Sequence, residues 1–412
     1  MSHKTLINGT GYDIKGGRTL INGTGYDIKG GRTLINGTGY DISFHKPSLA
    51  DEFELVESAG LVKHQNASWS YKLFFLHDRF FAIGYYSYYS LDGINWIQIT
   101  HPLSSTGSFG NGFVAAAYGN GVYVLMTSYS GVGVYSTDGV TWSTISSEAN
   151  YNGVTDIIFA NGVFVATPAS GSNANTLVYS TDGQNWNTTS TEITLPTKKL
   201  TFCNGYFIIS GSDGSYTDKY PRISYSTNGI SWSTAKIAYA NTNYLSRVGY
   251  VNGKYVVGVG SKGIYYTEDL SKTWTQGLSY PSIASWEDPA CGNGLSVFSA
   301  GQNYWRSTDG INWTSSTLSI PTSIKPAAIV FVNEEFVCVE SPNYYESSSN
   351  SNDYYCYSAD ALNWSTGYFN GGNETYLNWS NPVYGNGKYV TVSKMDGSSY
   401  GRYGIINVSK QS

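Results

Sequence analysis

The 412-residue chain carries 24 Lys and Arg against 29 Asp and Glu, a net charge of −5 and a pI near 5.6. That balance offers no basic face for nucleic acid. Charged residues at 13 % and aromatics at 16 % are the reverse of a disordered composition, and no apolar run reaches the roughly 18 residues of a membrane span. The length suits one large domain or two to three ordinary ones. The 37 Tyr and 47 Gly, with abundant Ser, Thr and Asn, favour strands and tight turns over helices.

The segment after Met1-Ser2-His3-Lys4 forms no apolar run before Asn8-Gly9, so no secretory signal is expected. Thr5–Arg18 recurs almost unchanged at 19–32 and begins again at 33, stopping after Ile42, with a period of 14. Asn-Gly is a hairpin turn signal, because both residues tolerate positive φ. Three copies read as a meander of about six short strands, too small to stand alone. Residues 1–44 are therefore expected to pack on another chain, on copies of themselves or on a larger assembly; a flexible leader is the other reading. Residues 45–72 read as a linker with a closing strand at Phe53–Val56, and 73–412 as the main domain.

A longer repeat fills that domain. Tyr89-Ser-Leu-Asp92-Gly-Ile-Asn-Trp96 returns at Tyr135–Trp142, Tyr179–Trp186 and Tyr225–Trp232, the last with Asn228 for Asp. It continues at Tyr266–Trp274 with one extra residue, Arg306–Trp313, and Tyr357–Trp364 with Ala361 for Gly. The Trp spacings are 46, 44, 46, 42, 39 and 51, the period of a β-propeller with four strands per blade. A hairpin precedes each box, turning at His77-Asp78, Asn120-Gly121, Asn161-Gly162, Asn204-Gly205, Asn252-Gly253, Asn293-Gly294 and Asn333-Glu334. One more turns at Asn386-Gly387. Eight hairpins against seven boxes predict eight blades, the last completed by the Phe53–Val56 strand; seven is the alternative.

These boxes resemble the Asp-box, or BNR repeat, of sialidase-like propellers, with Ser136-Thr-Asp138-Gly139-Val-Thr-Trp142 a close version. The resemblance covers about 73–408. It implies that the box is a structural turn between the third and fourth strands and that its seven Trp residues are not a sugar stripe. It also implies a test for sialidase chemistry, which needs three substrate-gripping arginines and usually an early Arg-Ile-Pro. Beyond residue 45 only Arg79, Arg222, Arg247, Arg306 and Arg402 occur. Arg79 lies in a turn on the opposite face, Arg306 replaces a box Tyr, and the nearest motif is the reordered Pro221-Arg222-Ile223. No enzyme is expected.

No cofactor or metal is expected either: the five His lack ligand spacing and no phosphate loop precedes a helix. Cysteines 203, 291, 338 and 356 do not form a disulfide framework. Cys338 and Cys356 fall on neighbouring strands where a bridge is conceivable; free thiols are the expectation. Sequons such as Asn312-Trp313-Thr314 are expected to be unglycosylated.

Binding is expected on the face holding the connections between strands 2 and 3 and between blades, since those vary in length. Their Tyr, Trp, Asn, Asp and Arg suit carbohydrate, with rings stacking on sugar faces and polar groups taking hydroxyls. The candidate contacts are Tyr216, Asp218, Tyr220, Arg222, Trp286, Tyr344, Tyr345, Asp353, Tyr354, Trp379, Tyr400 and Arg402. The 14-residue repeat is similar to leaders on structural proteins of phages infecting Gram-positive bacteria. That resemblance implies a virion protein assembled in the host cytoplasm, held through residues 1–44 to other virion proteins or copies of itself. Its propeller would bind host glycan in the manner of a tail fibre; a structural decoration or docking ring and a glycan-cleaving enzyme are the alternatives. No nucleic-acid or membrane partner is expected.

Overall fold

The computed structural model describes residues 72–105, 112–128, 131–147, 153–168, 175–193, 199–214, 219–237, 244–279, 287–318, 328–339, 354–368, 377–395 and 406–409, together with short strands within 4–42 and 53–56. The chain divides into two units, Met1–Ser48 and Leu49–Ser412. In the first, Lys4–Ile7 pairs with Thr10–Asp13, Arg18–Ile21 with Thr24–Asp27, and Gly31–Ile35 with Thr38–Ile42. Among the described residues the expected six-strand meander is three two-stranded sheets. In each pairing two residues of sequence, Asn-Gly, separate the strands, which costs little loop entropy.

The second unit is a β-propeller. Seven successive antiparallel sheets, blades 1 to 7, span 72–98, 113–144, 154–190, 199–236, 249–278, 290–317 and 330–368. Each uses four strands in chain order, and Ser146–Ser147 adds a parallel edge to blade 3. Seven blades are therefore continuous in the chain, the number held as the alternative. The ring closes through a composite sheet, called blade 8 below. It comprises Leu377–Trp379, Val383–Gly385, Lys388–Met395 and Ile406–Ser409, with Phe53–Val56 as the outer strand. Ile406 lies opposite Val56 and Ser409 opposite Phe53. Joining strands from distant parts of the chain hides two edges that would otherwise template aggregation.

Alternation along the strands makes the joints between blades. Phe81 and Ile83 of blade 1 pack with Leu125, Val134 and Trp142 of blade 2. Val390 and Val392 of blade 8 pack with Phe80, Tyr88 and Trp96 of blade 1. Each box Trp sits in the joint with the preceding blade. Trp96, Trp186 and Trp232 also donate their indole N–H to the carbonyls of Gly93, Gly183 and Gly229. An indole buries a large apolar area, and in these three blades its one polar atom is satisfied as well.

The box itself is a hydrogen-bonded turn. Asp138 Oδ1 accepts from the amides of Val140 and Thr141 at 2.8 and 2.7 Å, and Ser136 Oγ accepts from Gly139 at 2.8 Å. In blade 4 Asn228 Oδ1 takes the same two bonds, at 3.0 and 2.9 Å. Burial alone would raise the Asp92 and Asp182 carboxyls, but donors from Asn95, Ile94, Asn185 and Gln184 hold both at about 2. Backbone donors likewise hold Asp138 and Asp360 well below the usual range.

The first turn of each hairpin ties its blade to the next. Asn120, Asn161, Asn252, Asn293 and Asn386 have φ of 42–50°. Asn120 Nδ2 donates to the carbonyls of Gly162 and Thr181 in blade 3, at 3.2 and 2.9 Å. Asn161 repeats this to Gly205 and Thr227, Asn252 to Gly294 and Thr308, Asn293 to Glu334 and Ala359, and Asn386 to Asp78 and Leu91. A second form appears where the following blade has Tyr three residues beyond its own turn Asn. Asn204 donates to Tyr255 Oη at 2.8 Å and Asn333 to Tyr389 Oη at 2.9 Å, while Tyr123 Oη donates to Asp78 Oδ1 at 2.6 Å.

Two outcomes test this account. Asn161→Ala removes the bracket and places Ala at a left-handed φ, so urea unfolding should show a loss of about 2 kcal/mol. The depressed box carboxyls contribute stability that is complete above their unfolded pKa near 4 and is lost as pH falls through their folded values. The urea midpoint should therefore be flat above about pH 5 and fall below about pH 4. Asp182→Asn, copying blade 4, should keep the fold and shrink that fall; an unchanged acid limb would contradict the account.

Candidate functional site

Strand register identifies the two ends of the ring. Lys72 lies opposite Ile83, Asp156 opposite Thr167 and Lys199 opposite Ser210. The start of each first strand is thus level with the connection between strands 2 and 3. First strands of neighbouring blades lie side by side and line the centre. All the Asn brackets lie at the other end, so the connection face is left for binding.

Counting back five residues from each first turn gives one structurally equivalent position per blade. It holds Lys72, Ala115, Asp156, Lys199, Arg247, Asp288, Ala328 and Asn381 in blades 1 to 8. Five of these eight side chains are charged, and four of them are bonded to one another on the connection face. Arg247 Nη2 lies 2.5 Å from Asp156 Oδ2 and its Nε 3.1 Å from Asp288 Oδ2. The Arg247 amide donates to Asp288 Oδ1 at 2.8 Å, and Arg247 Nη1 donates to the carbonyl of Leu200. Lys199 Nζ reaches the same Asp288 Oδ1 at 2.7 Å. Burial opposes the Arg247 charge, but Asp156 and Asp288 more than restore it, leaving its pKa above the ordinary value. Residues from four successive blades, 3 to 6, are joined in this way.

Further out on the same face, the third strand of blade 4 carries two of the expected contacts. The stretch read as a loop from Gly211 to Arg222 is mostly strand, with Tyr206–Gly214 paired to Lys219–Ser226. Asp213 and Arg222 stand diagonally across that pair, and Arg222 Nε and Nη2 donate to Asp213 Oδ2 at 2.8 and 2.5 Å. Glu192 Oε2 lies 3.7 Å from Arg222 Nη1. The diagonal ion pair favours extending the hairpin over opening it as a loop. Tyr220 is exposed, with Lys236 Nζ 5.9 Å from its ring centre. Tyr354 opens the third strand of blade 7 and Trp379 ends a strand of blade 8, so both belong to sheets rather than loops. Strand pairing continues to both positions, opposite Tyr368 and Ser393. Tyr216, Asp218, Trp286, Tyr344, Tyr345, Asp353, Tyr400 and Arg402 lie outside the described residues.

Tyr85, in the strand 2–3 connection of blade 1, and Tyr244, between blades 4 and 5, are also exposed on this face, at 38 % and 59 %. The site expected from loop composition omitted them, and it omitted the charged ring. Aligning the hairpins on their turns is the signal that exposes the ring. Cys338 and Cys356 are directly paired residues on neighbouring strands, and all four cysteines are free thiols. Burial raises the Cys203 thiol to about 12 and pushes Cys338 well above its usual range, so neither is primed as a nucleophile. Among the described residues no group of His, Cys, Asp or Glu is arranged to hold a metal ion, and no helix is long and apolar enough to cross a membrane.

The fold is similar to the crystal structure of the computationally designed protein Ika8, with a TM-score of 0.53, 12 % identity and coverage of 87 % of this chain and 99 % of that one. It is also similar to BamB from Moraxella catarrhalis, at 0.51, 11 %, 86 % and 99 % in the same order. At such identities the likeness is one of fold alone. No protein-family model matches the sequence, and no curated protein matches it.

Arg247→Ala should leave Asp156 and Asp288 without their shared cation. With Arg247 about a third exposed, the expected loss is about 1–3 kcal/mol in urea unfolding. Adding Asp156→Asn and Asp288→Asn should recover part of it; strictly additive losses would show that the three residues do not act together.

Proposed function

We propose that this chain is a non-catalytic adhesion protein of a virion, in the manner of a tail fibre. Its propeller presents the connection face to host cell-surface carbohydrate, and residues 1–44 hold it to other virion proteins or to copies of itself. The observation that carries the binding reading is the asymmetry of the ring. One end is consumed by repeated blade-to-blade hydrogen bonds from the turn Asn residues. The other carries exposed Tyr85, Tyr220 and Tyr244, and the residues separating strands 2 and 3 range in number from the two of Gly301-Gln302 to the stretch 340–353. Exposed Tyr on a rigid frame gives broad contact at low conformational cost.

The non-catalytic part of the reading draws support from the arginines. Arg222 is engaged by Asp213 and Glu192, and Arg247 by Asp156 and Asp288. An arginine already neutralised by protein carboxylates is poorly placed to grip the carboxylate of a substrate. The second reading is a virion decoration or docking ring that binds protein rather than sugar. The similarity of the N-terminal repeat to phage leaders supports the virion assignment in both.

Labelled full-length protein should bind a panel of Gram-positive cells and lose that binding once wall polysaccharide is stripped. Exchanging the 340–353 connection for the short turn of blade 5 should alter the range of strains bound. Binding that survives stripping would favour a protein partner, and sugar release abolished by Arg222→Ala would establish the enzymatic alternative.

A further inference from the structure

The ring of eight equivalent positions at the channel mouth is not uniform. Blades 3 to 6 contribute Asp156, Lys199, Arg247 and Asp288, whose charges are matched and mutually bonded. The facing arc, from blades 7, 8, 1 and 2, contributes Ala328, Asn381, Lys72 and Ala115. Lys72 makes no ion pair or hydrogen bond with any described residue, and neither does the Asn381 side chain. Both are exposed, and the alanines beside them carry no charge. Three cations against two carboxylates leave this level of the described ring with one positive charge in excess, and Lys72 is the member with no ion pair, coupled to Asp156 and Arg247 only at longer range.

We propose that the open arc is a ligand subsite, resting on the carbohydrate-binding reading above, in which Lys72 holds the anionic group of an acidic saccharide and the Asn381 amide binds a hydroxyl beside it. The anion is a carboxylate or a phosphate borne on the sugar. Lys72 supplies a compact charge suited to either, and the bonded network of blades 3 to 6 forms a fixed wall opposite. Surrounding protein desolvates the Lys72 ammonium and lowers its pKa, Asp156 opposes the shift and Arg247 adds to it. Desolvation of Lys72 and the nearby Arg247 charge favour an incoming anion, while Asp156 opposes it. The exposed tyrosines further out would stack on neutral sugars of the same chain.

The test is calorimetric titration of the full-length chain with glucose 6-phosphate, glucuronate and glucose. Tighter binding of either anionic sugar than of glucose by about tenfold or more is expected, weakening as salt rises. The two anionic probes distinguish phosphate from carboxylate recognition. Lys72→Ala should erase the preference and Lys72→Arg should retain most of it. Asn381→Ala should weaken all three sugars together. Lys72 is an exposed first residue of its strand, so an unchanged urea midpoint is expected for its variants and certifies the comparison. Glucose binding as well as the anionic sugars, or an unchanged preference in Lys72→Ala, overturns the proposal. Cell adhesion that persists in Lys72→Ala without any anionic preference would leave adhesion standing and remove the subsite. Anionic preference without cell adhesion would do the reverse.

Discussion

The ring rests on one repeated interaction, an amide reaching from the turn of one blade to the backbone of the next. The turn Asn does two things at once. Its backbone accepts the left-handed conformation that a two-residue hairpin requires, and its side chain donates to two carbonyls across the joint. One accepting carbonyl belongs to the neighbour's own first turn and the other to its box. The box must therefore be held at a fixed height, which the bonds from Asp and Ser to the turn amides achieve. Asn at the first turn, Asp in the box and Trp in the joint form one mechanical unit, repeated round the circle.

The exceptions follow the same logic. Where the next blade offers a Tyr hydroxyl in the joint, the turn residue of the preceding blade bonds to it instead. Asn204 meets Tyr255 ahead of the box lengthened by Glu268, and Asn333 meets Tyr389 in the blade completed from the N-terminal side. Blade 1 has His77 in place of Asn, and the joint to blade 2 is made by Asp78, Arg79 and Tyr123, with His77 stacked on Tyr118. A joint can exchange one donor for another so long as a bond still crosses from the turn to the next blade.

Function divides along the same axis. A face spent on holding blades together has little freedom to vary, and the opposite face inherits that freedom. On it, the separation of strands 2 and 3 differs from blade to blade, and five blades place a charge at the same level of the channel. The charges do not act alike: four neutralise one another across neighbouring blades, and the fifth, Lys72, makes no ion pair with them.

Strand count, repeat length, the turns and the box were legible in the sequence because each depends on residues close together in the chain. Asn-Gly encodes positive φ locally, and the box bonds span three residues, so spacing alone locates them. The extended blade 4 hairpin was not legible, because Ser- and Tyr-rich segments read equally as loop or strand until Asp213 and Arg222 are seen to pair across it. The charged ring was written in the sequence as a charge five residues before successive turns. Its meaning was hidden, since only closure of the ring brings Asp156, Lys199, Arg247 and Asp288 together across more than a hundred residues. Local bonding determined the blade from sequence; which side chains become neighbours at the axis was decided by the tertiary structure, because a circle sets distance by register rather than by separation along the chain.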